Sequence, residues 1–296
     1  MSRPTVLQVG RFPARFNERL QRDYQLIRLW EQPDVLAERG ADIAIVVTSA
    51  RYGCSAEQLA QMPNLKAICS FGVGYDSIAV DEAKARGIVI STTPDVLNEC
   101  VADTAIGLVI DTARQFAASD RHVRQGKWLN GQYPLTRKVS GKKLGIVGFG
   151  RIGKDIAKRA TGFDMEIRYH KRREDPDSGY RFEADLKALA TWADFLVLAC
   201  PGGAATHHLI DAEILAALGA NGILVNIARG TVVDEQALVA ALQAGTLGGA
   251  GLDVFEDEPR VPEALFGMPN VVLLPHVGSA TEETRLAMEN LVFDNL

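Results

Sequence analysis

An α/β architecture of two doubly wound, parallel-sheet domains is predicted by three features of the sequence. Short apolar runs alternate with helical stretches along the chain. The alternation stops at a polar interval and restarts at Leu144. The length, 296 residues, suits about two domains of roughly 150 residues each. Strand–helix–strand repetition builds a parallel sheet with crossover helices on both faces.

Val6–Val9, Leu26–Trp30, Asp42–Val47, Ala67–Ser70 and Ile88–Ile90 read as five strands of a first domain. Helical segments such as Ser55–Gln61 and Asp81–Arg86 fall between them. A long helix is expected over Asn98–Ser119, where Val101, Ala105, Leu108, Val109 and Thr112 recur at helical spacing. Arg121–Lys143, with Gly126, Gly131, Pro134 and Gly141, reads as a connection or protruding arm. Leu144–Gly148, Glu166–Tyr169, Phe195–Ala199, Ile223–Ile227, Gly249–Asp253 and Val271–Leu274 then read as six strands. Six strands with intervening helices match a dinucleotide-binding sheet in number and order.

Composition narrows the function classes. Hydrophobic residues make up 47% and charged residues 23%, enough apolar side chain to exclude disorder over most of the chain. No apolar run reaches the roughly 18 residues that span a bilayer. One such run, Ala105–Ile110, is bounded by Asp103 and Asp111. MSRPTVLQVG turns polar at Arg11 and lacks the apolar core and cleavage site of a signal peptide. A net charge of −5 argues against nucleic acid as a partner. Cys54, Cys69, Cys100 and Cys200 form no C-x-x-C pair, so neither a disulfide framework nor a zinc site is expected. A reducing, cytoplasmic compartment is the corresponding expectation.

The first chemical motif is Gly148-Phe149-Gly150-Arg151-Ile152-Gly153, between the apolar strand and a helix over Lys154–Ala160. In a G-x-G-x-x-G turn the first glycine permits the tight bend. The second lets a pyrophosphate approach the backbone, and the third lets helix and strand pack closely. Free N–H groups and the positive end of the helix then hold the phosphates. A carboxylate at the end of the next strand would bind the ribose 2′-hydroxyl of NAD. His170, Lys171, Arg172 and Arg173 stand there instead. Cations attract a 2′-phosphate, which favours NADPH. Glu174 and Asp175 dilute the cluster and leave NADH open as a second cofactor.

Three polar residues lie just beyond successive strands: Arg229 in NIARG, Glu258 in LDVFEDEP and His276 in LLPHVGS. Ligands of such sheets bind outside the carboxyl ends of strands. A histidine supplies a proton near neutral pH, and a neighbouring carboxylate orients it. An arginine grips a substrate carboxylate and polarises its carbonyl. The set fits hydride transfer to a 2-keto acid. His122, His207 and His208 lack this setting and read as surface or capping residues.

NIARGTVVDEQAL, GGAGLDVFEDEP, NVVLLPHVGSAT, SFGVGYDSI, TPDVLNECVADTAIGLV and GKKLGIVGFGRIG together resemble the D-isomer-specific 2-hydroxyacid dehydrogenase family, from about Asp42 to the C-terminus. The resemblance implies a flavodoxin-like substrate domain and a Rossmann cofactor domain with the active site in the cleft. The corresponding division is 1–97 plus a returning segment 283–296, and 98–282. Family members continue this last helix past the point, Leu296, where this chain stops. The resemblance assigns catalysis to Arg229, Glu258 and His276. It assigns backbone amides at Gly72-Val73-Gly74 to the substrate carboxylate. Near the cofactor it places Thr104, Arg151, Ile152, Pro201, Thr206, Ile227, Asp253 and Gly278. It implies a homodimer formed through the larger domain and its arm.

Within the family, SFGVGYD, TPDVLNE and YHKRR look most like the glyoxylate/hydroxypyruvate reductases, a group that includes hydroxyphenylpyruvate reductases. The usual CPLTPET reads CPGGAAT here, a smaller and more flexible loop over the cofactor in which Pro201 and Thr206 still match. The usual ID after the substrate loop is Ile78-Ala79, with Asp81 two residues on. Arg51 and Tyr52 are candidates to line the substrate pocket, and Trp128 to reach a partner's pocket. The expected activity is NADPH-dependent reduction of glyoxylate and hydroxypyruvate. The alternatives are a bulkier acid, hydroxyphenylpyruvate or 2-ketogluconate, and a dinucleotide-sensing regulator. No metal is expected.

Overall fold

A computed structural model describes residues 3–296. The chain divides into two compact units, Met1–Leu97 with Thr281–Leu296, and Asn98–Ala280.

In the first unit, strands β1 (Thr5–Gln8), β2 (Gln25–Arg28), β3 (Ile45–Thr48), β4 (Ala67–Ser70) and β5 (Val89–Ser91) alternate with helices α1 (Ala14–Asp23), α2 (Val35–Arg39), α3 (Ala56–Ala60) and α4 (Val80–Ala85). The sheet is all parallel, in the order β2-β1-β3-β4-β5. That is the 2-1-3-4-5 order of flavodoxin-like sheets. All four residues of β1 are buried, as expected of a central strand covered on both faces. Ser55 starts α3 through a capping box with Gln58, which satisfies two otherwise orphaned donors.

The second unit begins with α5 (Asn98–Arg114) and α6 (Phe116–Arg124). The single helix expected over Asn98–Ser119 is therefore two, and the arm begins as helix. Gln115 between them is left-handed, at φ 52° and ψ 43°. Asp111 accepts the Ala117 N–H and Tyr133 donates to the Gln115 side chain, so local hydrogen bonds hold the break. The sheet follows: β6 (Lys143–Val147), α7 (Arg151–Ala160), β7 (Glu166–His170), β8 (Arg181–Phe182), α8 (Leu186–Trp192), β9 (Phe195–Leu198), α9 (Ala212–Leu218), β10 (Ile223–Asn226), α10 (Glu235–Gln243), β11 (Gly249–Leu252) and β12 (Val271–Leu273). Its strands are all parallel, in the order β12-β11-β10-β9-β6-β7-β8. Seven strands replace the six expected. The extra one is the two-residue β8, paired to Arg168 and Tyr169, too short to show a period. It takes the third place of a 3-2-1-4-5-6 sheet, with β12 adding a seventh strand at the far edge.

The last helix, α11 (Glu282–Asn295), belongs to the first unit. Phe293 packs on the buried Phe16 of α1, ring centroids 5.2 Å apart, and Arg15 donates twice to the buried carboxylate of Glu289. The two parallel α/β sheets are the architecture that the alternation predicted.

Candidate active site and dinucleotide turn

Each glycine of the turn after β6 answers to a different constraint. Gly148 has φ +93°, and a Cβ there would lie 2.4 Å from the Cys200 nitrogen. A Cβ on Gly153 would lie 2.3 Å from the Gly148 carbonyl oxygen, so only glycine lets α7 sit this close to β6. A Cβ on Gly150 would meet nothing within 4 Å. Gly150 precedes the first turn of α7 and faces open space where a pyrophosphate would reach backbone N–H groups. These residues fit a dinucleotide. Arg151 is exposed and Ile152 half-buried in that same first turn.

At the end of β7, Tyr169 is fully buried, stacked on Phe149 at 4.2 Å, and accepts the Asp175 N–H. This folds the basic run back beside the turn. His170 Nδ1 is 3.0 Å from the Glu183 carbonyl. A carbonyl only accepts, so Nδ1 carries the hydrogen. Asp175 binds Lys154 at 2.8 Å and lies 3.9 Å from Lys171. The Lys154 ammonium holds the Asp175 carboxyl below its ordinary range, and Asp175 raises Lys154 in turn. Arg172 and Arg173 are exposed and, among the described residues, make no ion pair.

Arg229, Glu258 and His276 lie beyond β10, β11 and β12 respectively. His276 and Glu258 are in contact: Nδ1 lies 2.8 Å from Oε2 and 3.0 Å from Oε1. A carboxylate accepts, so Nδ1 donates and Nε2 is the nitrogen left for a ligand. Glu258 also accepts the Phe255 N–H at 3.2 Å. The Glu258 side chain is 18% exposed and that of His276 43%, so the pair has a sheltered carboxylate and an accessible imidazole. Arg229 is half-buried. One guanidinium N–H donates to the Ala228 carbonyl at 2.7 Å, and Asn226 ties the turn by bonding the Arg229 carbonyl and the Ala228 N–H.

His276 is left-handed, at φ 56°. Such a conformation costs a non-glycine residue about 1–3 kcal/mol. Asp253, 2% exposed, holds it: its two oxygens accept the N–H groups of Val277 at 2.7 Å and Gly278 at 2.8 Å. Hydrogen bonds to a charged group contribute about 1.5–3 kcal/mol each, enough to offset the strain. Burial raises the Asp253 carboxyl above its ordinary range, against the two N–H bonds that lower it. A Cβ on Gly278 would stand 2.8 Å from Asp253 Oδ2. Thr104 of α5 donates to the Gly278 carbonyl at 3.3 Å. Thr104, Asp253 and Gly278 thus form one bracket behind the histidine, a role that the sequence motifs alone do not reveal.

Thr206 donates to the Pro201 carbonyl at 2.8 Å and the Gly203 carbonyl at 3.2 Å, so the CPGGAAT loop after β9 is braced from within. Ile227 is buried at the end of β10. In the first unit, Thr93 Oγ1 accepts the Gly72 N–H at 3.1 Å, and the Thr93 N–H bonds the Gly72 carbonyl. Among the described residues, the Val73 and Gly74 amides have no such partner. Arg51 is exposed, its guanidinium 5.8 Å from the ring centroid of Tyr52. Trp128 is exposed in the second unit. His207, His208 and Glu256 form a cluster that sequence reading missed.

A model of the "D-isomer specific 2-hydroxyacid dehydrogenase, NAD binding domain" matches residues 106–278. The chain is 47% identical to glyoxylate/hydroxypyruvate reductase A of Arabidopsis thaliana, over 98% of this chain and 94% of that one. It is 45% identical to hydroxyphenylpyruvate reductase of Plectranthus scutellarioides, over 98% and 94%. Its fold matches the NADPH-dependent glyoxylate/hydroxypyruvate reductase of Sinorhizobium meliloti, solved with NADP and malonate, at TM-score 0.93 and 43% identity over 99% and 92%. The chain belongs to the D-isomer-specific 2-hydroxyacid dehydrogenase family.

Proposed function

We propose that the chain reduces small 2-keto acids, glyoxylate and hydroxypyruvate first, to 2-hydroxy acids, with NADPH as the preferred reductant. The observation that carries this is the His276–Glu258 pair, an imidazole oriented by a carboxylate and open at Nε2. The chemistry that the reduced dinucleotide supplies when bound is a hydride for the keto carbon. Protonated His276 gives its Nε2 proton to the keto oxygen, and Glu258 orients the ring through Nδ1. Arg229 binds the substrate carboxylate and polarises the carbonyl. After the transfer His276 is neutral and takes its next proton from water.

The glycine turn holds the pyrophosphate, with Arg151 and Ile152 at its helix and Pro201, Thr206 and Ile227 around the dinucleotide. His170, Lys171, Arg172 and Arg173 take the 2′-phosphate. The NADPH dependence named for the Sinorhizobium relative supports that reading, and Asp175 moderates the charge enough to keep NADH as a second cofactor. The likeness to hydroxyphenylpyruvate reductase favours one second reading, a bulkier keto acid on the same machinery. We assign the protein to the cytoplasm and to a homodimer.

The test follows loss of reduced-nicotinamide absorbance. NADPH and NADH are crossed with glyoxylate, hydroxypyruvate and hydroxyphenylpyruvate. Fast NADPH-linked turnover of the first two is expected, and turnover of the aromatic acid alone would move the substrate assignment. Replacing Lys171 and Arg172 by serine is expected to raise the KM for NADPH more than that for NADH. An unchanged ratio would remove them from the phosphate site.

A further inference from the structure

We propose that His207, His208 and Glu256 form a binding site for a divalent transition-metal ion of the zinc type, which clamps the loop after β9 to the segment after β11. Each residue offers one ligand atom, and the three atoms lie within 4.8 Å of one another. His208 Nε2 is 2.8 Å from Glu256 Oε1. Ligand atoms around a tetrahedral ion with bonds of 2.0–2.1 Å stand about 3.4 Å apart, between these two spacings. Small side-chain rotations therefore bring all three into the first coordination shell, and water completes it.

The backbone pre-arranges the ligands. Successive side chains of an extended segment point to opposite faces. Here His208 is left-handed, at φ 48°, and the two rings stack on one side with centroids 4.0 Å apart. That turn is pinned by three backbone hydrogen bonds: His208 N–H to Thr231, Ile210 N–H to Val232 and Asp234 N–H to Ile210. On the other side, the Glu235 carboxylate accepts the Glu256 N–H at 3.2 Å. Glu235 and Asp257 add carboxylates beside Glu256, and Arg260 pairs with Asp257.

Donor type selects the ion. Two imidazoles and one carboxylate suit Zn²⁺, Cu²⁺ or Ni²⁺, whereas Mg²⁺ and Ca²⁺ prefer oxygen ligands throughout. The site lies outside the His276–Glu258 pair and uses none of its groups.

The test uses the full chain, stripped with a chelator and titrated with Zn²⁺ against a chromophoric indicator. One Zn²⁺ per chain and a rise in the thermal midpoint are expected, because an ion that binds only the folded state stabilises it. Co²⁺ in place of Zn²⁺ is expected to give the visible absorption of a four-coordinate ion. His207→Ala and Glu256→Gln should each weaken Zn²⁺ binding by at least about tenfold. Both positions are at the surface, and circular dichroism checks that the variants fold. His276→Gln should leave the affinity unchanged. Absence of binding, binding indifferent to His207→Ala and Glu256→Gln, or binding lost with His276→Gln would each overturn the assignment.

Discussion

His276 carries two burdens, a proton to deliver and a backbone conformation that histidine seldom adopts. The first gives a direct prediction. His276→Ala should lower turnover by about 10²–10⁴-fold while the dissociation constant of the dinucleotide, read by fluorescence titration, stays put. Retained turnover would mean that the proton comes from elsewhere. The second belongs to Asp253, and its protonation gives a pH signature. The folded carboxyl sits above the ordinary 3.8 because it is buried. Its stabilising contribution is then fully present below about 3.8 and is lost as pH rises through the raised value. Asn at this position does not titrate. The stability difference between wild type and Asp253→Asn, from urea unfolding, should therefore shrink as pH rises through that window and level off above it. A difference that grows with pH would reverse the assignment. The variant should also lose turnover, since an amide nitrogen cannot accept the second N–H of the His276 loop. The resemblance placed Asp253 near the cofactor, but its hold on the His276 loop is not legible in LDVFEDEP. The bracket appears only when residues 24 and 25 positions away fold onto it.

The turn between β6 and α7 was the most legible element, because each of its constraints is local. A strand, three glycines at fixed spacing and a helix follow one another within 17 residues. The structure separates what the glycines do, and that separation is testable. Gly150→Ala puts a methyl group into open space, so the fold should keep its thermal midpoint while dinucleotide affinity falls through contact with the phosphates. Gly153→Ala drives a methyl group to 2.3 Å from the Gly148 oxygen, so α7 must move off β6 and the midpoint itself should drop. Equal effects of the two on stability would contradict the division. Elements escaped the sequence where their cause is not periodic. The two-residue β8 has no room for a period and exists because β7 offers it a free edge. The break at Gln115 comes from Asp111 and Tyr133 hydrogen bonds that no propensity records. The His207–His208–Glu256 cluster joins residues 48 positions apart, beyond the reach of any local motif.

At the scale of the whole molecule, the decisive feature is apolar surface without cover. Phe116, Val123, Trp128, Leu129 and Leu135 are 48%, 53%, 66%, 92% and 102% exposed, and they fall in one stretch of the second unit. Single exposed apolar residues need no explanation, but a run of five large ones within 20 positions is what an interface leaves on an isolated chain. Burying a tryptophan and two leucines against a second copy would contribute several kcal/mol, at about 1.5–3 kcal/mol for each fully buried large apolar side chain. Tryptophan is also the residue type most enriched at the energetic centre of interfaces. The proposed homodimer places this stretch against its symmetry mate. Sedimentation equilibrium should then give twice the 32.1 kDa chain mass. The double substitution Trp128→Asp and Leu129→Asp should return the protein to a single chain. Because both side chains are already outside the core, the variant should keep its circular dichroism spectrum and lose only its partner. A wild type that sediments as one chain would sink the dimer. A double variant that still sediments as a pair would move the interface to another face.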